Sequence, residues 1–352
     1  MTERAFDTNR YFEAQMAAFE AKLGAGDRQI IEFGGKPFGD HHAERVLPGY
    51  EADIKGLILQ QLCRSLGDVS LAMSLHAQDV LHAPNGRRVS QRIRGDSGLH
   101  YDDEVVRLAD QARDEFDLPL DTVVLTALPT ELTPENEDYV GTYTERLEEE
   151  GLTVKTVTAH RGYPLLDVGT VHETLTQDEQ ITEKDHLIVV SPGGGSGKFG
   201  VAVTQIAHLL QQGNNPNFVK FETFPVFSLK PSHPLNIAFL AATNDLPNEL
   251  IVTAGGKTNY DKDEQNLSIL RSLMTHYPEL DSPLHAFEEP TDMGVNVIEE
   301  GIVDDEAVRE ACNEEVVRRI VRYKREQGRG EERPETVART EAQLKELDPD
   351  RR

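Results

Sequence analysis

His186–Lys198 reads His-Leu-Ile-Val-Val-Ser-Pro-Gly-Gly-Gly-Ser-Gly-Lys. An apolar run fit for a strand enters Gly193, Gly194, Gly195, Ser196 and Gly197, and Lys198 opens a stretch with helical spacing. Glycines allow successive backbone N–H groups to turn inward around an anion. A helix N-terminus adds partial positive charge there, and Lys198 adds a full one. The chemistry this arrangement suits is phosphate binding. The Walker pattern G-x-x-x-x-G-K-[ST] is not met, because Pro192 replaces its first glycine and Phe199 its Mg²⁺-binding hydroxyl.

A second motif runs Glu32-Phe-Gly34-Gly35-Lys36 and continues through Asp40-His41-His42-Ala43-Glu44-Arg45. Lys36, His42 and Arg45 are close enough in sequence to meet one anionic group, and His42 could also move a proton. Arg94, in Arg94-Gly95-Asp96, is a further candidate anion ligand. Lys220-Phe-Glu222-Thr-Phe-Pro225 offers Glu222 as base or metal carboxylate, and the turn-rich Pro290–Asn296 offers Asp292. The expected chemistry therefore rests on Glu222, Asp292 and His42. No spacing of His, Cys and acids defines a metal site. His41 and His42 are adjacent, so their side chains diverge. No Gly-x-Ser-x-Gly elbow, His-Glu-x-x-His or Cys nucleophile with a nearby His is present.

These groups need elements to hold them. Asp7–Leu23 has apolar residues at helical spacing, and Gln29–Phe33 is a short strand. Ile54–Leu66 reads as a helix and Val69–Leu75 as a strand. The stripe Val105, Leu108, Ala109, Ala112, Phe116 makes Tyr101–Phe116 a helix, with Asp102, Asp103 and Glu104 at its positive end. Thr122–Leu128, Val154–Thr158, His186–Val190 and Asn217–Phe221 read as strands, with helices Glu135–Glu150 and Phe199–Gln212 among them. Further helices are expected around Pro234–Thr243 and Glu264–His276. This alternation predicts an α/β fold, a mainly parallel sheet with helices on both faces, Rossmann-like or P-loop-like. Such sheets bind ligands at the carboxyl ends of their strands, where both glycine motifs fall. Composition divides the chain into an α/β segment 1–180, a glycine-loop α/β segment 181–300 and a helical, charged segment 301–352.

The chain has 352 residues and a net charge of −26, which disfavours a general grip on nucleic acid. Lysine is scarce, 12 against 24 arginines, a balance that suits either a salty cytosol or a GC-rich genome. Cys63 and Cys312 are far apart, the reading being two small core thiols in a reduced compartment. No run approaches the roughly 20 apolar residues of a membrane span, and Met1–Arg10 lacks the apolar core of a signal peptide. The expectation is a cytoplasmic protein with a small phosphate-bearing partner, no nucleic acid and no membrane; a homo-oligomer is left open.

Taken together, Glu32–Lys36, His42-Ala with Arg45-Val-Leu-Pro-Gly49, Arg94-Gly-Asp96, Ser196-Gly-Lys198, Lys220–Pro225, His233-Pro with Asn236, Gly256-Lys-Thr258, Pro290–Asn296 and Ile302–Glu306 resemble a mostly bacterial domain-of-unknown-function family, number 1846. They occur in family order over about Phe6–Ala311. Gly194 stands where the family loop carries proline, and Leu240 where it carries a glutamate. The family also lacks a hydroxyl after the lysine. The resemblance implies an α/β fold, a cytosolic location and a further C-terminal region in typical members; it implies no reaction.

Two functions follow as expectations. One is an ATP-dependent phosphoryl or adenylyl transferase, with ATP and Mg²⁺ as cofactor and Lys198 with the loop amides on the phosphates. The other is a non-catalytic nucleotide or metabolite sensor. A dinucleotide enzyme ranks below both, because no G-x-G-x-x-G opens the first crossover.

Overall fold

The computed structural model describes residues 4–24, 26–90, 92–94, 97–159, 170–245, 259–330 and 332–347. Gly95 and Asp96, the Gly256-Lys-Thr258 motif and residues 348–352 of the charged tail lie outside these.

Six strands, β1 (Arg28–Phe33), β2 (Val69–His76), β3 (Leu120–Leu128), β4 (Thr153–Thr158), β5 (His186–Val190) and β6 (Pro216–Phe221), form one sheet in the order β4-β3-β2-β5-β1-β6. Every pairing is parallel. Ile30, Ala72, Val124, Leu187, Val189 and Phe218 pack into one core. Their sequence neighbours Ile31, Met73, Val123, Ile188 and Val219 pack into the other. The inner strands are buried on both faces, which is why they read as continuous apolar runs rather than as alternation, whereas the edge strand β4 is half-exposed. The side chain of each such Leu, Ile or Val contributes roughly 1.5–3 kcal/mol by leaving water.

On the first face lie α6 (Val171–Leu175), α7 (Lys198–Gln211) and α9 (Asn259–Met274). The second face carries α1 (Thr8–Leu23), α3 (Ile54–Leu66), α4 (Tyr101–Asp114) and α5 (Pro134–Glu149). Asp7 caps α1 and Thr133 caps α5, each accepting a first-turn N–H. The three-layer α/β architecture is the expected one. Segments 1–180 and 181–300 both supply strands to this single sheet: β5 lies between β2 and β1, and β6 lies beyond β1.

The charged C-terminal segment forms two helices, α11 (Asp305–Gly328) and α12 (Pro334–Leu347), beyond the short α10 (Pro290–Met293). Val308, Cys312, Val316 and Ile320 join the second core. Tyr323 Oη donates to Ala241 O at 3.0 Å and Asn244 Nδ2 to Thr340 Oγ1 at 2.9 Å, fastening both helices to α8 (Pro234–Thr243) and its end. His41–Val46, given no element by the sequence pattern, is a helix, α2, with Asp40 capping Ala43 N–H. Six residues are too few to show periodicity, so only the cap could have signalled it. Cys63 and Cys312 are both buried free thiols. Among the described residues no helix is long and apolar enough to cross a membrane.

Candidate functional site

Five side chains fasten the glycine loop, and all of them hold its carbonyls. Gly193 O accepts from Ser191 Oγ at 2.8 Å and from Ser196 Oγ at 3.0 Å. Gly194 O accepts from Arg92 Nη1 at 2.8 Å, Ser196 O from Thr126 Oγ1 at 2.9 Å, and Pro192 O from Arg94. Arg92 is itself paired with buried Asp79 and stacked on Tyr101. The N–H groups of Gly193, Gly194, Gly195, Ser196 and Gly197 meet no acceptor among the described residues. A loop with four carbonyls tied down and its donors free presents positive partial charge. Glycine is needed here for two reasons. Gly195 and Gly197 have φ of +70° and +84°. A Cβ at Gly193 would collide with the Tyr101 hydroxyl, and one at Gly197 with Thr126.

Ammonium groups collect beside this loop. Lys198 is 8% exposed, and its Nζ sits 3.2 Å from Ser191 Oγ. Burial lowers its pKa against the pull of Glu32 and Glu222. Lys55, on α3, is fully buried and donates to Gly34 O at 2.8 Å, with Asp40 at 3.5 Å. Burial pulls it down to about 8, Asp40 opposes this, and Lys198 adds to it. Lys220 is gripped by Glu222 at 3.1 Å and by Asp263. Those carboxylates hold its pKa above the ordinary value although burial works the other way. Asp263 is pushed up to about 6, chiefly by burial and despite Lys220. Lys262 acts electrostatically on Lys198, and Lys36 on Asp40. Five of the chain's 12 lysines thus gather at one end of the sheet, in a protein that elsewhere prefers arginine.

Of the residues expected to form a site, Gly193–Lys198, Gly34, Gly35 and Glu222 come together here. Gly34 lies against the Glu222 side chain, and its N–H donates to Phe221 O at 2.6 Å. Lys36 is half-buried on the same turn. Arg94 helps to shape the loop. It is buried, holds the Pro192 carbonyl and lies 3.7 Å from Glu104. His42 and Arg45 meet an internal carboxylate. Arg45 makes a two-pronged pair with buried Glu315 of α11 at 2.8 and 3.2 Å. His42 Nδ1 lies 3.5 Å from the same carboxylate, an ion-pair distance without hydrogen-bond geometry. Asp292 closes a capping box on α10, accepting the N–H groups of Glu288 and Glu289. Those bonds hold its pKa down.

Sequence reasoning missed Lys55, Arg92, Tyr101, Thr126 and Asp263. One signal was present: Lys55 occupies the apolar stripe of α3 with Leu59 and Leu62, where a solvated lysine does not belong. The others act through contacts across the fold and left no local mark.

Comparison with known proteins adds a family. A family profile described as domain of unknown function DUF1846, N-terminal, matches residues 4–348. A UPF0371 protein of Clostridium botulinum (strain Alaska E43 / Type E3) is 33% identical over 97% of this chain. UPF0371 proteins of Clostridioides difficile (strain 630) and Corynebacterium aurimucosum are each 34% identical, over 93% and 92% of it. The chain spans 66% of the length of the first and 63% of the other two. With every described residue inside the match, the chain belongs to the DUF1846 family.

Proposed function

We propose that this chain binds a phosphate-bearing ligand at the carboxyl ends of β1, β5 and β6. The Gly193–Gly197 amides and the Lys198 ammonium face the phosphate, and Lys55 supplies a second cation behind Gly34. One observation carries the reading: the loop's carbonyls are fastened by five side chains while its amides have no partner among the described residues. Gly193 and Ser196 are buried, and an N–H group shut away from water costs about 1–3 kcal/mol unless something accepts from it. ATP with Mg²⁺ is the first cofactor to try, and the corresponding chemistry is phosphoryl or adenylyl transfer. Glu222 is its base only when Lys220 lets it go.

A second reading, binding without turnover, has its own support. Of the three groups expected to do chemistry, Asp292 caps a helix, His42 leans on Glu315 and Glu222 is tied to Lys220.

Calorimetric titration with inorganic phosphate and with ATP, each with and without Mg²⁺, tests the proposal. Wild type should bind at least one of them, and Lys198→Ala should lose tenfold or more of that affinity. Equal affinities in the two proteins would remove the loop from the function. Turnover of ATP separates the first reading from the second.

A further inference from the structure

Glu32 stands apart from its neighbours at this site. It is the penultimate residue of β1, in register with Lys220 of β6 and Val189 of β5. Strand alternation puts it on the α7 face with Ile30, beside the start of the helix that Lys198 opens. It is 6% exposed, yet its Oε2 has no hydrogen-bond partner among the described residues. The cation directly across from it, Lys220, is already held by Glu222 and Asp263. Glu32 is, however, the anion that acts most strongly on Lys198. A buried carboxylate oxygen left open costs free energy unless a donor reaches it.

A donor delivered by the ligand accounts for this. The oxygens of a phosphate monoester, whose second proton is lost near pH 6, only accept, so a monoester lying against the loop amides gains nothing from a carboxylate beside Lys198 and is repelled by it. The partner Glu32 suits is a hydroxyl or amino group carried by the same ligand. Resting on the phosphate reading above, we infer that Glu32 is a specificity-determining residue. It accepts a hydrogen bond from a hydroxyl or amine near the phosphate, so the ligand is a phosphate ester of a polyol or amino compound rather than of a simple alcohol.

Three probes separate the roles: methyl phosphate, which carries no further donor, and glycerol 3-phosphate and ribose 5-phosphate, which carry hydroxyls. A nucleotide's ribose and a free sugar phosphate present the same chemistry, so AMP is added to tell these sources apart. Wild type should bind at least one hydroxyl-bearing ester tenfold or more tighter than methyl phosphate. Glu32→Gln should shrink that preference about tenfold while leaving methyl phosphate equally bound or tighter, because a repelling charge is gone. Glu32→Asp, with a carboxylate one methylene short, should keep part of the preference. Circular dichroism of each variant guards against misfolding. A preference unchanged in Glu32→Gln, or no preference in wild type, overturns the inference. Lys198→Ala distinguishes the two proposals: if it binds every probe as wild type does, the phosphate cradle fails; if Glu32→Gln still alters the preference, the role of Glu32 stands without it.

Discussion

Two groups of cations in this molecule look alike in sequence and differ in what they face. Lys36, His42 and Arg45 lie within ten residues and read as one anion-binding cluster, as Lys198 and the glycines do. In the fold, Arg45 and His42 meet Glu315, a carboxylate 270 residues away from Arg45, fully buried and also contacted by Arg318 and Arg319. That charge is neutralised from within. At the glycine loop, Lys198 meets among the described residues only a hydroxyl at close range, and Lys55 a carbonyl with a longer contact to Asp40. A cation cluster is a binding site only if the chain has not already supplied the anion, and sequence proximity says nothing about a distant acid.

The sharpest way to break this comparison is to remove the internal anion. Glu315 has its pKa held far down by His42, Arg45 and Arg319 despite burial. Glu315→Gln leaves two guanidiniums partly buried without a counter-charge. Removing one partner of a buried pair usually costs 3–5 kcal/mol, and the residual exposure of Arg45 and Arg319 points to the low end, about 3 kcal/mol. The loss should appear in chemical denaturation. Phosphate affinity of the folded fraction should not change. A variant of unaltered stability but weakened phosphate binding would merge the two regions into one site.

Next comes the loop itself. Gly197→Ala imposes φ of +84° on a residue with a Cβ and drives that Cβ into Thr126. Strain of this kind costs on the order of 1–3 kcal/mol, and displacement of the loop should lower phosphate affinity tenfold or more. Gly67→Ala is the control. Its φ of +80° and ψ of −94° also strain a residue with a Cβ, on the order of 1–3 kcal/mol, but that Cβ would enter open space away from the loop, so binding should stay intact. If the two variants bind phosphate alike, the loop is a turn and no more.

How much of this was legible follows from where each constraint acts. The sheet could be read because burial on both faces makes each strand a local apolar run: Leu187–Val190 needs no partner to announce itself. The glycine loop was legible because positive φ and close approach demand glycine in situ. Arg94 was visible as a cation but not as the clamp on Pro192, and Asp292 looked free because a capping box spans four residues of a loop. Lys55 reaches the site from another element altogether. Ligands that arrive through tertiary contacts leave no spacing to count, only an anomaly such as a lysine in an apolar stripe.

The smallest effect is also the one that tests Lys55 most directly, through opposite signs in two measurements. Its pKa is lowered to about 8 in the folded protein, first by burial, against about 10.4 for an unfolded lysine. Between those values the folded state holds fewer protons than the unfolded one. Stability is therefore reduced below about pH 8 and recovers as pH rises through 8 towards 10.4. Anion binding runs the other way, because the ammonium is lost across the same window. Methyl phosphate is a suitable probe, since a phosphate monoester has completed its second ionisation, near pH 6, well before then. From pH 7 to 9.5 its affinity should fall several-fold while unfolding free energy gains a contribution of at most about 3 kcal/mol. In Lys55→Met both slopes should shrink together. The affinity slope surviving intact in that variant would assign it to Lys198, whose pKa burial also lowers, and would leave Lys55 as a strut beneath Gly34.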